Sequence, residues 1–271
     1  MKTLTSAICA VVLAVPAALA ETCADGKTLT PGTLTIATGN PAYYPWVHND
    51  APESKEGFEA AVAYAVAAAM GFSEDKVVWV RTSFDEAIQP GAKNFDFNMQ
   101  QYSITEEREK MVDFSAPYYS SAMAVLTTEA AVERGVSADP AALRSAIWGA
   151  VATTTAVPVL TETIKPEKAP LLYGDTADVT AALQAGQIDA ALFDLPTALY
   201  LSAVVVEGGT IIGQYPASRA ETPDQFGMLM EEGNPLKECV DAALAELTTS
   251  GKLAEIEATW LQDATGVPVI D

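Results

Sequence analysis

Short apolar runs punctuate the chain at Leu34–Ala37, Val77–Val80, Phe95–Met99, Ala122–Leu126, Ile147–Ala152, Ile188–Phe193 and Phe226–Met230. Bounded by polar and turn-forming residues, each predicts a strand. Between them the spacing changes. Phe58, Ala61, Val62, Ala65, Val66, Ala69 and Met70 recur at helical intervals and stop at Gly71, a residue suited to a helix end. Ser83-Phe84-Asp85-Glu86 has the form of a capping box, and Asp139-Pro140 and Asn234-Pro235 each set a cap residue before a first-turn proline. Strand and helix alternate throughout, which predicts parallel α/β layers with ligands where strand carboxyl ends meet helix amino ends. The Pro-, Ser- and Thr-rich stretch Gln214–Pro223 predicts a crossing between lobes.

The first twenty residues read differently. Lys2 precedes an apolar run through Ile8, Val11, Val12, Leu13 and Val15, closed by Ala18-Leu19-Ala20. This predicts a secretory signal cut after Ala20, since the run is too short to span roughly 30 Å of hydrocarbon. Cys23 follows Glu21 and Thr22 rather than the small residues, so a lipid anchor is not expected.

The chain carries 15 Lys and Arg against 36 Asp and Glu, a net charge of −21. Such a surface repels phosphate backbones and excludes nucleic acid as an expected partner. Any group that binds an anion must therefore act locally. Cys23 and Cys239 are the cysteines left after export, and an oxidising compartment predicts a disulfide between them, with two free buried thiols as the alternative. No Cys-x-x-Cys pair is present, and His48 is the single histidine. A zinc site, a two-histidine metal site and a Ser-His pair are all disfavoured, and no metal or cofactor is expected.

The segment with the most chemistry runs from Phe95 to Arg108. A strand ends in Gln100-Gln101-Tyr102-Ser103, then Thr105 predicts a helix cap with Glu106 and Glu107 in the first turn. Those acids suit that end of a helix, whereas the cation Arg108 there calls for an anion nearby. A guanidinium holds a carboxylate bidentately, and Ser103 is close enough in sequence to add a hydroxyl. A solvated surface arginine paired with Glu106 or Glu107 is the other reading. Thr153-Thr154-Thr155, after one strand and before a helix, forms a second candidate anion seat or an ordinary cap. Asp194 follows an apolar strand and precedes Pro196, so it can cap a helix, accept an ammonium, or do both. Tyr43 and Phe84, each following a strand, serve either as core or as walls around the aliphatic part of a ligand.

Taken in order, these motifs resemble the polar amino-acid solute-binding proteins of ABC importers, family 3, from about Thr33 to Trp260. The matching residues are Ala42-Tyr43-Tyr44-Pro45-Trp46, Glu56-Gly57-Phe58-Glu59, Ser83-Phe84-Asp85, Ser103-Ile104-Thr105-Glu106-Glu107-Arg108 and Val112-Asp113-Phe114-Ser115-Ala116-Pro117-Tyr118-Tyr119. Ile188-Asp189-Ala190-Ala191 with Asp194, and Gly233-Asn234-Pro235, continue the match. The resemblance implies the type II periplasmic binding protein fold: two α/β lobes, each a mostly parallel sheet flanked by helices, joined by two hinge crossings. Lobe 1 would take residues 28–120 and 221–265, and lobe 2 residues 121–220. It further implies a periplasmic receptor that captures a free amino acid and delivers it to ABC permease subunits; the sequence offers no basis for an oligomer, so a monomer is expected.

Carried over by position, the resemblance makes Arg108, Ser103 and Thr155 partners of the ligand carboxylate, with Thr154 in the same seat, and Asp194 the partner of its ammonium. Tyr43 and Phe84 match the aromatic walls, and Asn40 and Gln101 match positions near the side chain and ammonium. The chain departs from the pattern at Gln100, Gln101 and Tyr102, where residues are usually small or apolar, at Thr153, where glycine is common, and at Ala61, where an acid is frequent. Asn40 stands where members preferring cationic ligands carry an acid, which points to a neutral polar amino acid or similar zwitterion. A periplasmic dehydratase on the same scaffold would need a general acid aimed into the cleft, and the ligand sensor of a signalling receptor would need a membrane segment.

Overall fold

Every residue of β1 (Leu34–Thr38) is buried, as expected of a strand covered by helices on both faces. It pairs in parallel with β2 (Val77–Arg81) on one side and β3 (Phe97–Asn98) on the other. After β4 (Asp113–Phe114) the chain crosses through β5 (Tyr119–Ser121) into β6 (Met123–Thr128), β7 (Trp148–Val151), β8 (Leu171–Tyr173), β9 (Ala190–Asp194) and β10 (Gly209–Tyr215). It returns through β11 (Asp224–Phe226) to β12 (Leu229–Met230). The strands assemble into one sheet of order β2-β1-β3-β12-β4 and a second of order β10-β6-β9-β7-β8. The two crossings pair with each other antiparallel, Asp224 opposite Ser121 and Phe226 opposite Tyr119. This is the two-lobe type II periplasmic binding protein architecture. The structure is a computed structural model and describes residues 22–216, 224–261 and 266–270. The predicted secretory signal, and residues 217–223 of the predicted crossing, lie outside them.

Strands linked by helical connections are parallel, as the alternation predicts: β7 pairs this way with β8 and with β9. The two strands fed directly by a crossing are not. β12 runs antiparallel to β3 and β4, and β6 antiparallel to β9 and β10. No helix turns the chain round before β6 or β12, so each enters its sheet from the opposite end. For the same reason the predicted strand Phe226–Met230 is divided, Phe226 pairing with Tyr119 in the hinge and Leu229 with Asn98 and Phe114 in the first sheet.

The predicted amphipathic helix is present at Phe58–Ala69, but its buried face is centred on Phe58, Glu59, Val62, Ala63 and Val66. It packs with the helices Lys237–Thr249 and Lys252–Trp260 over a core that includes Leu34, Ile36, Phe97, Met230, Val240 and Leu244. Each such aliphatic or aromatic burial stabilises the lobe by roughly 1.5–3 kcal/mol. Gly57 enters the helix at φ 103°, and a Cβ there would lie 2.5 Å from the Trp46 carbonyl oxygen. Only glycine permits that approach. Cys23 and Cys239 are paired, with Cα atoms 5.8 Å apart, and tie the amino-terminal segment to the helix Lys237–Thr249.

The capping signals act locally as their chemistry predicts. Ser83 Oγ accepts from the Glu86 N–H at 3.2 Å, and Asp139 Oδ1 from the Ala141 N–H at 2.8 Å. Past Thr105 the expected helix is reduced to one 3-10 turn, Arg108–Lys110, because the chain must enter β4 at Asp113. Thr105 still serves as a cap, its hydroxyl accepting from the Arg108 N–H at 3.2 Å.

Candidate functional site

A cavity of about 290 Å³ lies between the two sheets. Its walls come from residues just past strand carboxyl ends: Asn40 and Tyr43 after β1, Phe84 after β2, Gln101 and Ser103 after β3, Thr154 and Thr155 after β7, and Asp194 closing β9. Arg108 completes the set. All nine ligand-contact residues read from the sequence line this one space, although they are drawn from both lobes.

Arg108 is 6% exposed, which excludes the surface-arginine reading. One terminal nitrogen donates to the Ser103 carbonyl at 2.8 Å, and the other reaches across the cleft to the Thr153 carbonyl at 2.8 Å. Its guanidinium lies over the Phe84 ring, 5.4 Å from the centroid, and Phe84 is itself stacked on Tyr102 at 4.5 Å. Burial lowers the pKa of Arg108, and the nearby carboxylate of Asp224 opposes that shift. A guanidinium has five N–H donors, so two bonds to carbonyls orient it while leaving donors for an anion.

The Ser103 and Thr155 hydroxyls meet at 3.3 Å, and Thr155 Oγ1 donates to Asp224 Oδ2 at 3.3 Å. Asp224 lies on the return crossing, and the sequence reading missed it. Burial raises its pKa, whereas hydrogen bonds from Ser103 and Thr155 and the charge of Arg108 lower it. Its Oδ1 is buried with no hydrogen-bond partner among the described residues. The sequence signal was slight: one acid at the end of a loop rich in polar residues.

Asp194 faces this group from the second sheet. Its Oδ1 accepts the Thr197 N–H at 2.8 Å, so it caps the helix Leu195–Tyr200 and lines the cavity at once. Burial pushes its pKa up to about 6, against bonds from Thr197 that lower it. Two predicted contact residues spend their polar groups on the protein. The Thr154 hydroxyl donates to the Val151 carbonyl at 2.8 Å. Gln101, at φ 52°, donates its backbone N–H to Glu59 Oε1 at 2.9 Å and its side-chain amide to Glu59 Oε2. Glu59 also accepts from the Tyr118 hydroxyl, and burial raises its pKa from 4.5 to about 7. This buried acid holds the loop that carries Gln101 against the first helix. An acid placed beside Phe58 and one turn before Ala63 was the available signal.

The lobes also touch around the cavity. The Thr153 hydroxyl donates to Asp85, the Trp46 indole N–H donates to the Thr197 hydroxyl at 2.7 Å, and the Tyr44 and Tyr200 rings lie 5.5 Å apart. A molecule in the cavity is enclosed by both sheets.

The chain is 38% identical over 93 residues to a probable histidine-binding protein of Campylobacter jejuni, a match covering 33% of this chain and 34% of that one. It thus spans about a third of the length of that relative. It is 24% identical over 211 residues to the ABC transporter glutamine-binding protein GlnH of Bacillus subtilis, covering 77% of this chain and 73% of the other. A Salmonella typhimurium periplasmic binding protein described for high arginine specificity superposes with a TM-score of 0.68 at 23% identity, covering 84% of this chain and 98% of that one. That likeness shows the fold. Residues 34–263 match the bacterial extracellular solute-binding proteins, family 3, and the chain belongs to that family.

Proposed function

We propose that this chain is a periplasmic receptor that captures a free amino acid, or a similar zwitterion, between its lobes and presents it to the permease subunits of an ABC importer. It works as a monomer, with residues 28–120 and 221–265 in one lobe and 121–220 in the other. The observation that supports this most is the pairing of Arg108 with Asp194 on opposite walls of one cavity. A buried guanidinium and a half-buried carboxylate suit the two charged ends of an α-amino acid. Ser103, Thr155 and Thr154 border the carboxylate, Tyr43 and Phe84 flank the aliphatic part, and Asn40 with Gln101 favours a neutral polar side chain. The amino-acid ligands in the names of its relatives favour the same class of solute.

A ligand that touches both lobes stabilises the closed form by its differential affinity, and closure is the state the importer would read. With a pKa of about 6, Asp194 is mostly ionised at neutral pH, which suits an ammonium partner better than the general acid of a dehydratase. Native mass spectrometry of freshly purified protein, followed by calorimetry with an amino-acid panel, tests the proposal. Absence of any amino acid or analogue binding below about millimolar overturns it. Arg108→Ala is expected to lose about 3 kcal/mol or more of affinity, since it leaves a buried carboxylate unpaired.

A further inference from the structure

Gln100 and Gln101 depart from the family pattern side by side, and both line the cavity. Along a strand, neighbouring side chains point to opposite faces. Gln101 stands at φ 52°, a left-handed conformation uncommon outside glycine, and this breaks the alternation just past β3. Two adjacent amides therefore reach one space. Each is oriented by a buried partner that takes one end of the amide and leaves the other. The side-chain nitrogen of Gln101 donates to Glu59 Oε2, while the Gln101 backbone N–H and the Tyr118 hydroxyl donate to Oε1. An acid that accepts on both oxygens holds the nitrogen end of the amide and leaves its carbonyl oxygen over. Gln100 is held the other way round. Its Oε1 accepts from the hydroxyl of the fully buried Tyr102 at 3.0 Å, which leaves its nitrogen over. That nitrogen lies against Gly39, which also lines the cavity: a Cβ on Gly39 would come within 3.0 Å of it. Neither Gln100 Nε2 nor Gln101 Oε1 has a hydrogen-bond partner among the described residues. The Phe84 ring joins this pair to the anion seat, with Arg108 over it and Tyr102 stacked on it.

We propose that Gln100 and Gln101 form a recognition edge for a ligand side chain ending in a primary amide or urea group, with Glu59 as a positioning residue that orients Gln101. The proposal rests on the receptor reading above and narrows its neutral polar class. The nitrogen of Gln100 donates to the carbonyl of the ligand side chain, and the oxygen of Gln101 accepts one of its N–H groups. A side-chain carboxylate instead sets an acceptor against the Gln101 oxygen, and it adds a negative charge to a cavity already lined by Asp194 and Asp224. An aliphatic side chain displaces water from both glutamine groups and leaves them unpaired, which costs affinity.

Calorimetry on the full chain at about pH 8.5, where Glu59 is ionised, tests the edge. L-glutamine, L-asparagine and L-citrulline carry the group at three distances from the α-carbon; L-glutamate, L-norleucine, L-lysine and L-histidine lack it. One of the first three is expected to bind tightest, about a hundredfold more tightly than L-norleucine, or tenfold for each hydrogen bond lost. Gln100→Met is expected to reduce that preference about tenfold. Glu59→Gln puts a donor where Oε2 accepts, so the Gln101 amide turns its oxygen toward residue 59 and its nitrogen to the cavity. The preference for the best amide or urea ligand over L-glutamate is then expected to fall about tenfold, whereas a merely structural role would weaken both alike. Tightest binding by an amino acid without the group overturns the proposal and leaves the receptor reading standing, and so does a full preference retained in Gln100→Met. An unchanged preference in Glu59→Gln overturns the positioning role of Glu59. If no member of the panel binds, the edge and the receptor reading fall together.

Discussion

Glu59 makes stability depend on pH in a way that can be worked out in advance. Its carboxyl is fully enclosed between the first helix, the Gln101 loop and Tyr118, and its pKa rises from 4.5 to about 7 because burial penalises the charged form. In the unfolded chain the group releases its proton near 4.5; in the folded protein it keeps it until about 7. Folding therefore binds a proton in that interval, and stability falls as pH rises. The contribution is complete below about 4.5 and lost above about 7, and the displacement corresponds to about 3 kcal/mol. Glu59→Gln keeps the shape and cannot titrate. Urea denaturation of both proteins, followed by circular dichroism at fixed pH steps from about 4.5 to 8.5, isolates the effect, since groups not coupled to Glu59 cancel in the difference. The variant is expected to gain about 3 kcal/mol relative to the parent across that range. A difference that stays flat with pH would refute the reasoning, and so would one that moves in the opposite direction.

Three further outcomes follow from particular contacts. Asp224→Asn removes a negative charge beside Arg108 and should tighten binding of a carboxylate ligand by about 1–2 kcal/mol in calorimetry, whereas weaker binding would show that Asp224 contacts the ligand directly. Replacing Cys23 and Cys239 together by Ser opens a cross-link spanning 216 residues; urea titration should record a loss of up to about 5 kcal/mol with ligand affinity retained. Gly57→Ala sets a Cβ against the Trp46 carbonyl at a φ of 103°, so thermal melting should show a loss of about 2 kcal/mol or more, and an unchanged melting temperature would mean that this turn is free to relax.

Much of the site was legible from local signals. Ser103, Thr155, Asp194, Tyr43, Phe84 and Thr154 sit at or past strand ends, where an apolar run gives way to polar residues, and α/β topology gathers such ends into one cleft; Arg108 joins them from a 3-10 turn, and Asn40 and Gln101 were placed by the family resemblance. The alternation of strands and helices was legible because burial imposes its period on the side chains. The functions of individual polar groups were less so. Gln101 reads as a ligand contact, yet its amide is held by Glu59, and the Thr154 hydroxyl is held by Val151. Those partners lie within hydrogen-bonding reach only after the chain has folded.

By itself, then, the sequence determined the alternation of strand and helix, the caps at Ser83 and Asp139, the cysteines available for pairing and, through the family resemblance its motifs carry, residues that border the cleft. Periodicity, capping and turn chemistry act over a few residues, so they are written locally. The tertiary structure decided what no local pattern carries. It reversed β6 and β12 against their neighbours, brought Asp224 from the return crossing to the hydroxyls of Ser103 and Thr155, and buried Glu59 against Tyr118. It also joined Trp46 to Thr197, which are 151 residues apart. Each of these depends on which surfaces meet across the hinge, and that is set by the packing of whole lobes.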